Sequence, residues 1–167
     1  PGSNSFITAA IFDLRQSNVP TMDPDPSHLC GNGRCQIQDG EQQSRGFELE
    51  GKASLSDNLD ITAAYAYLDN RASKSNSTVR YAPVSDIGVG PAVPVEGTTT
   101  YGVPRHTASA WADYTFRDGH LKGFGAGAGA RYVGSSWGDT ANTLKVPGYT
   151  LFDAAVHYDI PNIVNLN

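Results

Sequence analysis

Over residues 44–55 the chain alternates, with Phe47, Leu49, Ala53 and Leu55 on one face of an extended strand and Ser44, Glu48, Glu50, Lys52 and Ser54 on the other. Successive strand residues point to opposite sides, so one face suits hydrocarbon and the other suits water. A single strand of this kind is common in soluble proteins, where the period of two separates core from solvent. Recurrence is what constrains this chain. Leu59, Ile61, Ala63, Tyr65 and Tyr67 alternate with Asp60, Thr62, Ala64 and Ala66, and Ala108, Ala110, Ala112, Tyr114 and Phe116 with Thr107, Ser109, Asp113 and Thr115. Phe124, Ala126, Ala128, Ala130 and Tyr132 alternate with Gly123, Gly125, Gly127, Gly129 and Arg131, and Phe152, Ala154, Val156 and Tyr158 with Leu151, Asp153, Ala155 and His157. Trp111 breaks the rule by falling on a polar face, and a first strand over residues 6–14 is apolar on both faces.

These readings give about six strands of about ten residues each, the length that a tilted strand needs to cross hydrocarbon. Their connections alternate in length. Short turns follow Leu55, Phe116 and Tyr158, whereas polar, proline-punctuated loops are expected over residues 16–40 and 71–103 and a medium loop over 136–146. All long loops then fall on one side of the sheet. Tyr65, Tyr67 and Tyr132 gather at the loop ends and Phe116, Phe124 and Tyr158 at the turn ends, where interfacial girdles belong. The pattern describes an all-β, antiparallel wall of a transmembrane β-barrel. A soluble β-sandwich binding module is the competing reading, although sandwich loops need not segregate by length.

The chain has 167 residues, 39% of them hydrophobic, and a mean hydropathy of −0.36, which looks soluble. Barrels look that way too, because half of each strand faces a polar lumen. No run approaches the roughly 20 apolar residues of a membrane-spanning helix, so a helical membrane protein is excluded. A net charge of −5 and the lack of a Lys/Arg cluster argue against nucleic acid as a partner. The start, Pro1-Gly2-Ser3-Asn4, shows no signal peptide, and the expectation is a removed leader or an internal piece of a longer protein. Cys30 and Cys35, with His28 as the only nearby imidazole, cannot complete a zinc site. A small disulfide-closed loop is favoured over free thiols and implies an oxidising compartment such as the periplasm.

Four runs are recognisable. They are Ser44-Arg45-Gly46-Phe47-Glu48-Leu49-Glu50, Val103-Pro104-Arg105-His106, the run from Arg131 to Thr143 containing Ser136-Trp137-Gly138-Asp139-Thr140-Ala141-Asn142, and Val146-Pro147-Gly148-Tyr149-Thr150-Leu151-Phe152-Asp153-Ala154. Their order and spread resemble the C-terminal barrel region of TonB-dependent siderophore receptors, most of all the branch that takes up ferric hydroxamates of the ferrichrome and ferrioxamine kind. The resemblance implies an outer-membrane transporter of a Gram-negative bacterium, with a 22-stranded barrel plugged by an N-terminal domain. Residues 1–167 would supply about six of those strands, as part of one barrel domain without the plug, the TonB-engaging segment or the final strands. Implied partners are a ferric hydroxamate siderophore, the TonB complex through the missing N-terminal region, and outer-membrane lipid.

In such a machine no bond is made or broken, so the chain is read as no enzyme. Iron arrives already chelated, which calls for no cofactor and no protein iron ligand; the four histidines show no metal-ligand spacing. Alternating Gly125, Gly127 and Gly129 form a strand pattern rather than a phosphate loop, and Glu48 and Glu50 read as a lumen-facing strand with Lys52 rather than a catalytic carboxylate pair. Siderophore-contact candidates are Tyr81 and Tyr101 in the second long loop and Trp137 at the mouth of the third, since aromatic faces suit the organic shell of a chelate. Trp111, on the lumen face, is expected to act as filler in preference to packing on the plug or contacting substrate. Arg45, Arg105 and Arg131 are expected to pair with Glu48, Glu50 or Asp113 across the lumen. A passive porin-like channel remains as a third reading.

Overall fold

The computed structural model describes residues 5–80 and 90–160. Six strands, β1 (Phe6–Met22), β2 (Gln36–Ser54), β3 (Leu59–Lys74), β4 (His106–Thr115), β5 (Phe124–Val133) and β6 (Tyr149–Tyr158), pair in sequence order as one antiparallel meander. The register places every expected apolar residue on one side. Ile11, Phe47, Tyr67 and His106 lie in one cross-strand row, and Ile61, Ala112, Ala128 and Ala154 in another nearer the turns.

Among the described residues no apolar side chain is buried, and Ile7, Ile11, Phe152 and Val156 are 72–89% exposed. A water-soluble domain of this size must bury an apolar core to offset the entropy of ordering its chain. This single layer has none, which rules out the sandwich: its apolar face has to meet lipid. The opposite, polar face borders a hollow of about 370 Å³ that spans β1 to β5, lined by Thr8, Glu48, Glu50, Ala64, Ser109 and Arg131 among others, and a second of about 310 Å³ lies against Leu49, Ala53 and Ile61 of the apolar face. In the wall of a water-filled or plugged barrel the polar row is the inner, concave one.

Two aromatic clusters mark the levels at which the wall leaves hydrocarbon. Toward the loops Phe47 stacks on Tyr67 with centroids 5.8 Å apart, Tyr67 meets His106 at 5.2 Å, and the Tyr65 hydroxyl lies 2.8 Å from His106 Nδ1. Toward the turns Tyr114 packs edge-on against Phe116 at 5.0 Å. The connection after β2 is the short one at residues 55–58, and that after β4 contains a single 3₁₀ turn, Gly119–Leu121. The turn expected after Tyr158 lies largely outside the described residues.

The long loops differ from expectation. Residues 16–40 are not one loop: β1 and β2 continue as a paired ribbon, with Pro20 opposite Gln38 and Met22 opposite Gln36. Register shifts around Val19 and a positive φ of 62° at Asn18 absorb the irregularity, and Pro20 falls at this bulge, where a missing donor is tolerated. Above the membrane no face need be apolar, so the period that marks a spanning strand vanishes while the ladder continues. The Cys30–Cys35 disulfide (S–S 2.05 Å) closes the tip of the ribbon. There His28 Nδ1 lies 2.9 Å from Asp23 Oδ2, and this bond, with the Asp25 N–H, holds the Asp23 carboxyl below its ordinary value. Residues 71–103 likewise contain structure. β3 runs on to Lys74, Thr78–Arg80 pairs with Ala92–Pro94, and Arg71 bridges Thr99.

Candidate functional site at the mouth of the wall

On the concave side, Trp111 lies opposite Gly129. A Cβ on Gly129 would come within 2.6 Å of Trp111 Cε3 and 2.5 Å of the Ala110 carbonyl; one on Gly127 would come within 2.8 Å of Trp111 Cε2 and 2.7 Å of Asp113 Oδ2. The alternating glycines are therefore a slot that receives a large indole from the neighbouring strand. Gly125 clears space in the same way for His157, whose Nε2 is 3.1 Å from Asp113 Oδ1. Trp111 thus sits on the polar face and packs as expected, while the glycine pattern is its consequence.

The arginines are arranged differently from expectation. Arg45 and Arg105 do not reach Glu48, Glu50 or Asp113. Arg45 Nε is 3.1 Å from Asp69 Oδ2, Arg105 Nη2 is 3.6 Å from Asp69 Oδ1, and Arg71 Nη2 also bonds Asp69. Asp69 shares the outward face with Phe47 and Tyr67, one row beyond the girdle, because Arg45 pairs with it in register. Arg131 does lie on the concave face, but its partner is Asp153, at 3.1 Å. Cross-strand neighbours win over partners across the lumen because they are already held at contact distance.

Above the wall, a cavity of about 240 Å³ opens between the ribbon and the two longer loops. It is lined by Pro20 and Thr21 of β1, Gln42 of β2, Ser75 and Ser77 beyond β3, Thr98 to Tyr101, and Thr140. Gln42, Asn70 and Thr100 form a hydrogen-bonded trio there, with Gln42 Nε2 donating to Asn70 Oδ1 at 2.8 Å and the Thr100 hydroxyl donating to the same oxygen at 2.9 Å. Gln42 continues the parity of Glu48 and Glu50, so the trio stands on the lumen side of the mouth. The buried Thr21 hydroxyl is shared between Ser75 Oγ and Ser77 Oγ at 3.1 and 3.0 Å. Of the charged lining residues, Lys74 is paired, its Nζ 2.6 Å from Asp39, whereas Glu41 keeps its negative charge and accepts a hydrogen bond from the Ser73 hydroxyl at 2.8 Å.

Of the three candidate aromatics, Tyr101 lines this cavity and is 58% exposed. Trp137 belongs to the third loop, in the short pair Ser136–Trp137 with Lys145–Val146, and its carbonyl accepts the Gly102 N–H at 2.7 Å. The structure brings these two candidates onto neighbouring loops, whereas Tyr81 lies outside the described residues. Sequence reasoning missed Thr99, Asp139 and Asn142, which organise the two loops. The Gly138-Asp139-Thr140-Ala141-Asn142-Thr143 stretch carried the signal, since Asp and Asn in such a run commonly bond to nearby backbone.

A single curved antiparallel layer, with lipid-facing apolar residues, two aromatic girdles and long loops on one side, defines the outer-membrane class of β-barrel protein. The chain belongs to the family described as "TonB dependent receptor-like, beta-barrel", which it matches over residues 1–167. It is 38% identical over 157 residues to the ferrichrome outer membrane transporter/phage receptor of Escherichia coli K12, a match covering 94% of this chain and 18% of that protein. It is 36% identical to the ferrioxamine receptor of Yersinia enterocolitica, covering 96% of this chain and 19% of the relative. Among solved structures, the siderophore receptor PiuA of Acinetobacter baumannii superposes with a TM-score of 0.68 at 28% identity, covering 94% of this chain and 20% of that one. The chain therefore spans about a fifth of the length of these relatives. This is a family of outer-membrane receptors and transporters rather than enzymes.

Proposed function

We propose that the protein to which these residues belong takes up ferric hydroxamate siderophores of the ferrichrome and ferrioxamine kind, drawing energy from the TonB complex through a segment outside this chain. Relatives named for ferrichrome and for ferrioxamine support the ligand class. The observation that carries it is the character of the mouth cavity. Three singly charged hydroxamates neutralise Fe³⁺, so the chelate core carries no net charge and asks for hydrogen bonds and aromatic surface rather than cations. Among the described residues the cavity offers Thr, Ser, Gln and Tyr groups and the Glu41 carboxylate, its lysine is already paired, and no arginine lines it. A tris-catecholate core would carry a charge of −3 and would favour a cationic lining. Arg45, Arg71 and Arg105 instead converge on Asp69 on the outward face.

Iron enters as cargo with its coordination shell filled, so the chain's own residues bind and orient the organic shell. Tyr101 supplies an aromatic face within the cavity and Trp137 one from the neighbouring loop, and Gln42 and Thr100 supply hydrogen-bonding groups. The test is ligand binding by the full-length receptor. Ferric hydroxamates should quench intrinsic fluorescence saturably, and Tyr101→Ala should weaken binding by about tenfold, the loss of about 1.4 kcal/mol. Binding of ferric catecholates with no response to any hydroxamate would overturn the ligand class. Ligand-independent, non-saturating flux would favour the passive channel.

A further inference from the structure

The third loop is built around two side chains. The Asp139 carboxylate accepts hydrogen bonds from the N–H groups of Thr143 and Leu144, at 2.9 and 2.8 Å, and from the Thr143 hydroxyl at 2.7 Å. This tight turn holds Asn142 at a φ of 56°, a left-handed conformation that asparagine tolerates better than most residues. From there the Asn142 amide crosses to the second loop. Its Oδ1 accepts the Thr99 N–H at 2.7 Å, and its Nδ2 donates to the Thr99 carbonyl at 2.8 Å.

One side chain thus satisfies both backbone groups of a single residue, as a neighbouring strand would. Thr99 is only 7% exposed, so neither group has ready access to water if the amide is removed. A second tie, from Gly102 N–H to the Trp137 carbonyl, closes the other end of the same short stretch. Between the two ties lie Thr100 and Tyr101, which line the mouth cavity from one loop, while Thr140 lines it from the other.

We infer that Asn142 is a positioning residue that joins the Tyr101 loop and the Trp137 loop into one rigid rim and thereby fixes the shape of the cavity. The joining follows from the hydrogen bonds alone; its effect on ligand capture rests on the proposed siderophore reading. Neither loop needs to fold around the ligand separately, so the ordering cost of capture is met before the ligand arrives.

The experiment is hydrogen exchange on the full-length receptor in lipid vesicles, comparing wild type with Asn142→Gly and Asn142→Asp. Glycine suits the left-handed conformation, so N142G deletes the two cross-loop bonds while leaving the backbone path intact. Exchange of the Thr99 N–H should rise about tenfold or more in N142G, the expected consequence of its lost acceptor, with β2 to β5 unchanged. N142D keeps the acceptor for the Thr99 N–H and should fall between. Unchanged protection of Thr99 in N142G would overturn the joining. A second measurement reads the cavity: in N142G the tenfold penalty of Tyr101→Ala on ferric hydroxamate affinity should shrink, because one of the two ties that flank Tyr101 is lost. Raised exchange with an undiminished Tyr101 penalty would overturn the claim about cavity shape. Should the wild-type receptor bind no hydroxamate, the ligand reading falls while the exchange result still decides the role of Asn142.

Discussion

The slot between β4 and β5 makes a prediction that separates two glycines with similar surroundings. A methyl group forced into a well-packed site costs about 1–3 kcal/mol. At Gly127 the closest obstacles are the Trp111 ring and the Asp113 carboxylate, both parts of side chains. At Gly129 they are the Trp111 ring and the Ala110 carbonyl, which is backbone of the hydrogen-bonded neighbouring strand. Gly127→Ala should therefore destabilise the barrel by about 1–3 kcal/mol alone and by much less in a Trp111→Ala background, giving a coupling of about 1–2 kcal/mol. Gly129→Ala should cost at least as much and be rescued only in part, because the carbonyl at 2.5 Å stays when the indole is removed. The assay is urea-dependent unfolding and refolding of the full-length receptor in thin bilayers, with the change read from the midpoint at constant slope. Additivity of Gly127→Ala and Trp111→Ala within about 0.5 kcal/mol, or full rescue of Gly129→Ala, would refute the account of the slot.

Removing the carboxylate shared by Arg45, Arg71 and Arg105 leaves three cations on the outward face with no counter-charge. Asp69→Asn should accordingly cost about 1.5–3 kcal/mol and lower the thermal unfolding midpoint of the receptor. The Asp139 carboxyl is raised by desolvation, but the N–H groups of Leu144 and Thr143 and the Thr143 hydroxyl outweigh this and hold it below its ordinary value of 3.8. A depressed carboxyl stabilises the fold above the unfolded value and loses that effect as pH falls through the folded one. Trp137 emission should thus stay constant from pH 7 to about 5 and shift only below about 4, and a shift centred near neutrality would contradict the assignment. Reducing the Cys30–Cys35 disulfide should open the ribbon tip to proteolysis while the girdle-to-girdle wall stays resistant, since the bridge closes only a short loop. Cleavage within β3 to β5 after reduction would show that the tip supports the wall.

The lipid-crossing part of the fold was legible because hydrocarbon enforces a period of two: Phe47, Tyr67, Ala110 and Phe152 are all outward, as their alternation requires. Outside hydrocarbon the constraint lapses, and there the reading of loops over residues 16–40 and 71–103 gave way to continued strands. Side-chain pairing was legible only where neighbours dominate. Arg131 and Asp153 lie diagonally across adjacent strands, and Arg45 and Asp69 directly opposite each other, yet both pairs needed the strand register to be known first. At the mouth, aromatic type picked out Tyr101 and Trp137, but nothing in local pattern joins Asn142 to Thr99, 43 positions away in the chain.

The ribbon of β1 and β2 sets a height. Its eight or so residues beyond Leu14, at about 3.3 Å each and inclined to the barrel axis, lift the disulfide tip about 20 Å clear of the bilayer. Pro20 and Thr21 stand on that ribbon and border the mouth cavity, so an arriving molecule meets the protein first in open solution. Its encounter is then governed by diffusion and ionic strength, and the step into the polar space behind the wall becomes a separate event with its own rate.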